Sequence, residues 1–374
     1  MRKGYSAKNL LLISVSVLLA IASCKKENTN VTTKTLTVTT PPVATPTTLG
    51  LYEADSSIYK LLFMAVTKVG TQTVNNALVF DTGSGGMVLD ATDLLPKSMI
   101  TSVGFNFTGD STVVNGITIT SVTDMVEYGD DDSTITKAYG NLAYANVTFG
   151  DENGSIVIKR VPFLLYYKGV DAQGNTLPAH YFDVLGVDAE YDLQFSNGVN
   201  LQSPFILFNP GNGLKKGFKM AALGTSNFSL EGTYAPVLTF GLTDADINSS
   251  NFVMNQLNFY PGDGYAPVFP ATISYNNYNI STNILFDTGT DPYNYFEDRN
   301  AKVDIAQLPA NTPVTVHLGS GFDYNFTTTP TENLTYIENP NTTGAVVSIF
   351  SIEFFLYNEY LLDYDDHEIG LKNN

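Results

Sequence analysis

Short apolar runs broken by small polar turns set the texture of this chain from Leu51 onward. Tyr59 to Val66, Ile117 to Val122, Ile156 to Leu165, Val237 to Phe240 and Val346 to Phe350 alternate with turns rich in Gly, Asn and Asp. Runs of this length, rich in β-branched and aromatic side chains, predict strands, and the turn residues predict the links between them. The 22 Tyr and 23 Phe suit a pleated sheet better than a helix. No long amphipathic helix is expected; short helices are predicted only near Asp304 to Leu308 and in the Asn197 to Phe205 region. The expected class is all-β.

Before Leu51 the pattern changes twice. Arg2, Lys3 and Lys8 precede an apolar stretch from Leu10 to Ala22, which is too short to span a bilayer as a stable helix and reads as a signal peptide over 1–24. Its end, Ile21-Ala22-Ser23-Cys24, resembles a bacterial lipoprotein signal. That resemblance implies cleavage before Cys24, lipidation of Cys24, and a place in the cell envelope, at the outer membrane, with the body facing the periplasm or the exterior. The alternative is a plain secretory signal followed by an incidental cysteine. Residues 25–50, rich in Thr with Pro41, Pro42 and Pro46, bury too little to fold and read as an extended tether.

Cys24 is the sole cysteine, so the remainder can form no internal disulfide and must be stable by burial alone. Its length favours two domains over one. The formal charge is −18, and loss of Arg2, Lys3 and Lys8 leaves −21. Such acidity, without a basic cluster, argues against a nucleic-acid partner. It fits solubility, or work at acid pH.

Candidate chemistry enters through a repeat. Val79-Phe80-Asp81-Thr82-Gly83-Ser84 returns as Leu285-Phe286-Asp287-Thr288-Gly289-Thr290, with the aspartates 206 positions apart. Each copy reads as a buried strand ending in a tight turn. The glycine lets backbone N–H groups approach the carboxylate, and Ser84 or Thr290 can donate a hydroxyl bond to it. A distant repeat with one Asp per copy suggests two related domains sharing a site. Two carboxylates brought together cannot both ionise readily, so they share a proton, giving a general base and a general acid from one residue type. The alternative is an ordinary strand-ending turn that occurs twice.

With these turns in place, the chain resembles the pepsin-like aspartic proteases over most of its body. Met125-Val126-Glu127-Tyr128-Gly129 looks like the family's flap, a hairpin whose Tyr128 and Gly129 lie over the substrate. Ala143 to Gly150 is similar to the strand leaving that flap, and Asp183-Val184-Leu185-Gly186-Val187 to the segment crossing beneath the first turn. Leu238-Thr239-Phe240-Gly241 resembles the entry to the second lobe, and Tyr360 to Asp363 with Ile369-Gly370-Leu371 the C-terminal strands. The resemblance implies a bilobed fold with an active-site cleft between lobes 51–235 and 236–374. It implies a catalytic dyad of Asp81 and Asp287, supported by Thr82, Gly83, Ser84, Thr288, Gly289 and Thr290, and a monomeric endopeptidase acting on extended polypeptide without a cofactor or metal.

The sequence departs from that family in places. Ser351 stands where the second lobe usually carries glycine; the tryptophan that supports the flap tyrosine would fall near Val88, in a chain with no Trp. Asp130, Asp131 and Asp132 occupy the expected flap tip, and Asp291 follows Thr290 in place of a small hydroxyl residue. These departures bear on flap geometry and pH range. They also leave open a catalytically silent pepsin-like module that captures peptide or glycan, or a structural surface protein.

Other chemistries fare worse. His180, His317 and His367 lack metal-ligand spacing. Gly83-Ser84-Gly85-Gly86 lacks the Lys and helix of a phosphate loop, and the three aspartates at 130–132 lack the Gly and terminal Glu of a calcium loop.

Overall fold

The computed structural model describes residues 43–374 except 56–58, 130–134, 226–227 and 249–250. The signal segment, Cys24, the tether up to residue 42 and Asp130 to Asp132 lie outside the described residues. Strand Thr47–Asp55 takes in Thr47 to Gly50, which composition alone placed in the tether. Pairing supplies what composition lacks: Leu49 faces Leu238, and Tyr52 faces both Tyr234 and Phe63.

Each Asp-Thr-Gly ends a hairpin. In the first, Lys60–Val69 runs antiparallel to Gln72–Asp81, turning at Gly70, whose φ of 62° suits glycine. In the second, Phe269–Tyr275 pairs with Tyr278–Phe286 through Asn276 and Asn277, two asparagines that tolerate positive φ. The chain then returns to each hairpin from far away. Val184–Val187 lies parallel to the first hairpin's inner strand, with Gly186 opposite Asp81, and antiparallel to Gly85–Asp90. Val347–Phe350 repeats this against Tyr278–Phe286, with Phe350 opposite Phe286, and against Tyr293–Glu297. The two halves are thus built on one topological plan.

Among the described residues, fourteen strands form one sheet, which includes both the hairpin ending at Asp81 and the C-terminal strands Asn358–Asp363 and Glu368–Asn373. Lys215–Met220 joins these, pairing with Thr233–Leu242 on one side and Asn358–Asp363 on the other. A second sheet of eight strands carries the hairpin ending at Asp287. Phe80, Phe218, Phe286, Phe350 and Phe354 are buried in one continuous core beneath both turns, with the Phe286 and Phe354 rings 3.9 Å apart. Each such ring contributes about 1.5–3 kcal/mol by leaving water, which is how the body dispenses with disulfides.

Two expected helices differ. Ile305–Gln307 is a strand paired with Leu334–Glu338, because a sheet edge offers the backbone more bonds than one isolated helical turn. Within 197–205 the chain forms strand Asn200–Gln202 and then a 3₁₀ turn, Pro204–Leu207, capped by Ser203. Proline starts such a turn because it removes an N–H that would have no partner there.

Candidate active site

The two turns meet back to back. Thr82 N–H donates to Thr288 Oγ1 at 3.0 Å, and Thr288 N–H donates to Thr82 Oγ1 at 3.0 Å. Each hydroxyl then donates across the junction, Thr82 to the Phe286 carbonyl (2.9 Å) and Thr288 to the Phe80 carbonyl (2.7 Å). Both threonines are fully buried, so each of these bonds satisfies a group that water cannot reach.

This exchange fixes the carboxylates. Gly83 N–H donates to Asp81 Oδ1 at 2.8 Å and Gly289 N–H to Asp287 Oδ1 at 2.7 Å; Ser84 and Thr290 hydroxyls donate to the outer oxygens. Asp81 and Asp287 are neighbours across the junction. The glycines also make room for the opposite carboxyl. A Cβ on Gly83 would lie 2.6 Å from Asp287 Cγ, and one on Gly289 2.9 Å from Asp81 Cγ. Burial first, then the Asp81 carboxylate and the hydrogen bond with it, hold the Asp287 carboxyl well above the ordinary carboxylate range.

Support differs between the two turns. Beneath the first, Gly186 admits no side chain, since a Cβ there would lie 2.7 Å from the Ser84 carbonyl. Beneath the second, Ser351 is accommodated: its N–H (2.8 Å) and hydroxyl (3.2 Å) both donate to Asn294 Oδ1, and the hydroxyl caps the 3₁₀ turn Ile352–Leu356. The departure at Ser351 is therefore a bonded element of the turn's floor.

A cleft of about 450 Å³ opens over the carboxyls, lined by Asp81, Gly83, Ser84, Asp287, Gly289, Thr290 and Asp291, by Glu127, Tyr128 and Gly129, and by Leu285, Tyr295 and Ile349. Glu127, Tyr128 and Gly129 come from the hairpin formed by Ile117–Tyr128 and Thr136–Asp151, so the flap residues read from sequence share the cleft with both aspartates. Glu127 is bonded to Lys137 (2.6 Å). Asp291 Oδ2 accepts from the Lys60 N–H at 2.6 Å, and the Lys60 ammonium pairs with Glu353. Burial pushes Asp291 up to about 6, against the opposing pull of Lys60.

Some of this support was invisible in the sequence. The Tyr128 ring stacks on Phe182 (centroids 5.9 Å, 20°), and Phe182 meets Tyr166 edge-on (5.9 Å, 86°). These rings, with Val88, Val126, Ala138, Leu142 and Leu164, form a second small core beneath this hairpin, and it includes Val88, near which the resemblance leads one to expect a tryptophan. Phe182 adjoins the Asp183-Val184-Leu185-Gly186 segment, which was its only signal. Asn294 and Lys60 had none, because no local pattern ties them to the second turn.

Neither protein-family profiles nor curated proteins match this chain. Among solved structures, an aspartic proteinase from Irpex lacteus matches with a TM-score of 0.56 at 15% identity, covering 87% of this chain and 97% of that one. The fold is thus pepsin-like, all-β and bilobed, with a cleft between related lobes.

Proposed function

We propose that this protein is an aspartic endopeptidase, cutting peptide bonds in extended polypeptides with Asp81 and Asp287. The observation that carries the reading is the pair of carboxyls, each cradled by its own glycine N–H and hydroxyl and each pressed against the other turn. A single proton shared by the pair leaves one carboxyl protonated and the other ionised, both facing the cleft.

The ionised carboxylate takes a proton from water as the water oxygen bonds to the peptide carbon, and the protonated carboxyl gives its proton to the carbonyl oxygen. The resulting diol collapses as the carboxyl that took the water's proton passes it to the nitrogen, the other carboxylate takes a proton from a diol hydroxyl, and the C–N bond breaks, yielding an acid and an amine and restoring the singly protonated pair. Tyr128 and Gly129 cover the substrate and exclude bulk water.

The test is to incubate the purified full chain with unfolded protein across pH, with and without the transition-state mimic pepstatin. Cleavage suppressed by pepstatin and absent from Asp81→Asn supports the reading. Binding of peptide without cleavage by a folded protein would replace it with a silent capture module.

A further inference from the structure

The segment leading into strand Val184–Val187 carries a histidine between two carboxylates. His180 Nδ1 lies 2.7 Å from Asp183 Oδ2, and Nε2 lies 3.1 Å from Asp93 Oδ2. A neutral imidazole has one N–H, so one of these nitrogens would present a lone pair to a carboxylate; only the imidazolium satisfies both. The backbone is held too. His180 N–H donates to Asp90 Oδ2 (2.9 Å) at a φ of 62°, a left-handed conformation uncommon outside glycine, and Asp90 N–H donates to Asp183 Oδ1 (2.8 Å).

Two residues on, Phe182 is buried between the flap and Tyr166, whose hydroxyl accepts the Phe182 N–H at 3.3 Å. We infer that His180, as an imidazolium bridging Asp93 and Asp183, is a positioning residue that holds Phe182 beneath Tyr128 and so limits the pH range in which the flap packs. This rests on the reading that the flap hairpin covers the substrate.

The charges around the ring set the direction. Asp183 faces it from its own segment, Asp90 and Asp93 from the end of strand Gly85–Asp90 and the turn beyond, and Tyr166 reaches the same carboxylates from strand Gly154–Val170. Burial works against the charged ring, but the Asp183 bond and the charges of Asp183 and Asp90 outweigh it and raise His180 above its ordinary 6.5. A raised histidine contributes fully below its unfolded value and loses that contribution as pH rises through the folded one. Burial also raises Asp183, so that carboxylate takes up its proton above the ordinary 3.8 and the clamp weakens as pH falls through that range. Its window lies between the two titrations.

The test follows the three histidine rings of the full chain by NMR across pH, with His180 assigned from His180→Gln. In parallel it measures amide protection of Met125 to Gly129 and Thr136 to Gly140, corrected for intrinsic exchange. Protection should fall about fivefold as the His180 ring loses its proton, a change absent in His180→Gln. Asp93→Asn, which alters an exposed side chain, should move both the titration and the fall to lower pH. Flap protection in His180→Gln that matches wild type at every pH, including the fall, or a fall at the wild-type pH in Asp93→Asn, overturns the inference. Neither readout needs peptide cleavage: a chain that fails to cut but tracks His180 rejects the proposed function alone.

Discussion

Thr82 and Thr288 bond reciprocally, each backbone N–H to the other's hydroxyl at 3.0 Å, across a junction between residues 206 positions apart in sequence. That exchange is the mechanical link between the two turns, because the same hydroxyls anchor the Phe80 and Phe286 carbonyls that precede the aspartates. Either threonine changed to valine keeps its shape but strands a buried N–H and a buried carbonyl. Thr82→Val and Thr288→Val should each lower unfolding free energy by about 2–4 kcal/mol in a denaturant titration, and lower cleavage in parallel.

Asp287→Asn should abolish hydrolysis and, unlike most substitutions at a buried site, should not destabilise the protein at neutral pH. A carboxyl whose folded pKa is raised binds its proton more tightly when folded, so the wild type loses stability as pH climbs above the ordinary 3.8. Asparagine removes that loss. Thermal melts at pH 3 and pH 7 should show the variant gaining on wild type only at the higher pH.

The same sign applies to Asp291. Raised to about 6 by burial, it stabilises most below 3.8 and loses that contribution as pH rises through 6. Asp291→Asn keeps an acceptor for the Lys60 N–H. Its stability against pH should be flatter between 4 and 7, by about 1 kcal/mol after solvent screening.

Tyr128 contributes its ring face to Phe182 and its position to the cleft. Tyr128→Ala removes the stack and the cover together and should lower kcat/KM by at least about tenfold, a loss of about 1.4 kcal/mol. Tyr128→Phe keeps the stack and should lose less. Steady-state kinetics on one peptide, run side by side, separates the two effects.

Ser351→Gly restores the residue the pepsin-like resemblance leads one to expect, yet it deletes the hydroxyl that bonds Asn294 and caps the following turn. The lost cap should cost only a few tenths of a kcal/mol and the lost bond to Asn294 about 1 kcal/mol, without raising activity. An increase in kcat would mean that Ser351 restrains the second turn.

Cys24 lies outside the described residues, and its lipidation is a proposal from sequence. Labelled fatty acid should be incorporated by wild type and not by Cys24→Ser, and wild type alone should partition with membranes.

By itself the sequence determined the all-β texture, with apolar runs broken by Gly, Asn and Asp turns, and the two Asp-Thr-Gly turns. Each depends on residues within one short stretch: period-two apolar patterning, positive-φ tolerance, a glycine beside a carboxylate. It also pointed to Tyr128 through a local Tyr-Gly pattern. The tertiary structure alone decided that Gly83 and Gly289 each make room for the other turn's carboxyl, that Phe182 stacks on the Tyr128 ring, and that Asn294 absorbs Ser351. It also turned the expected helix near Asp304 into a strand by offering it an edge. The raised pKa values of Asp287 and Asp291 belong to the same class, since desolvation is set by everything packed around a group, and those neighbours come from remote parts of the chain.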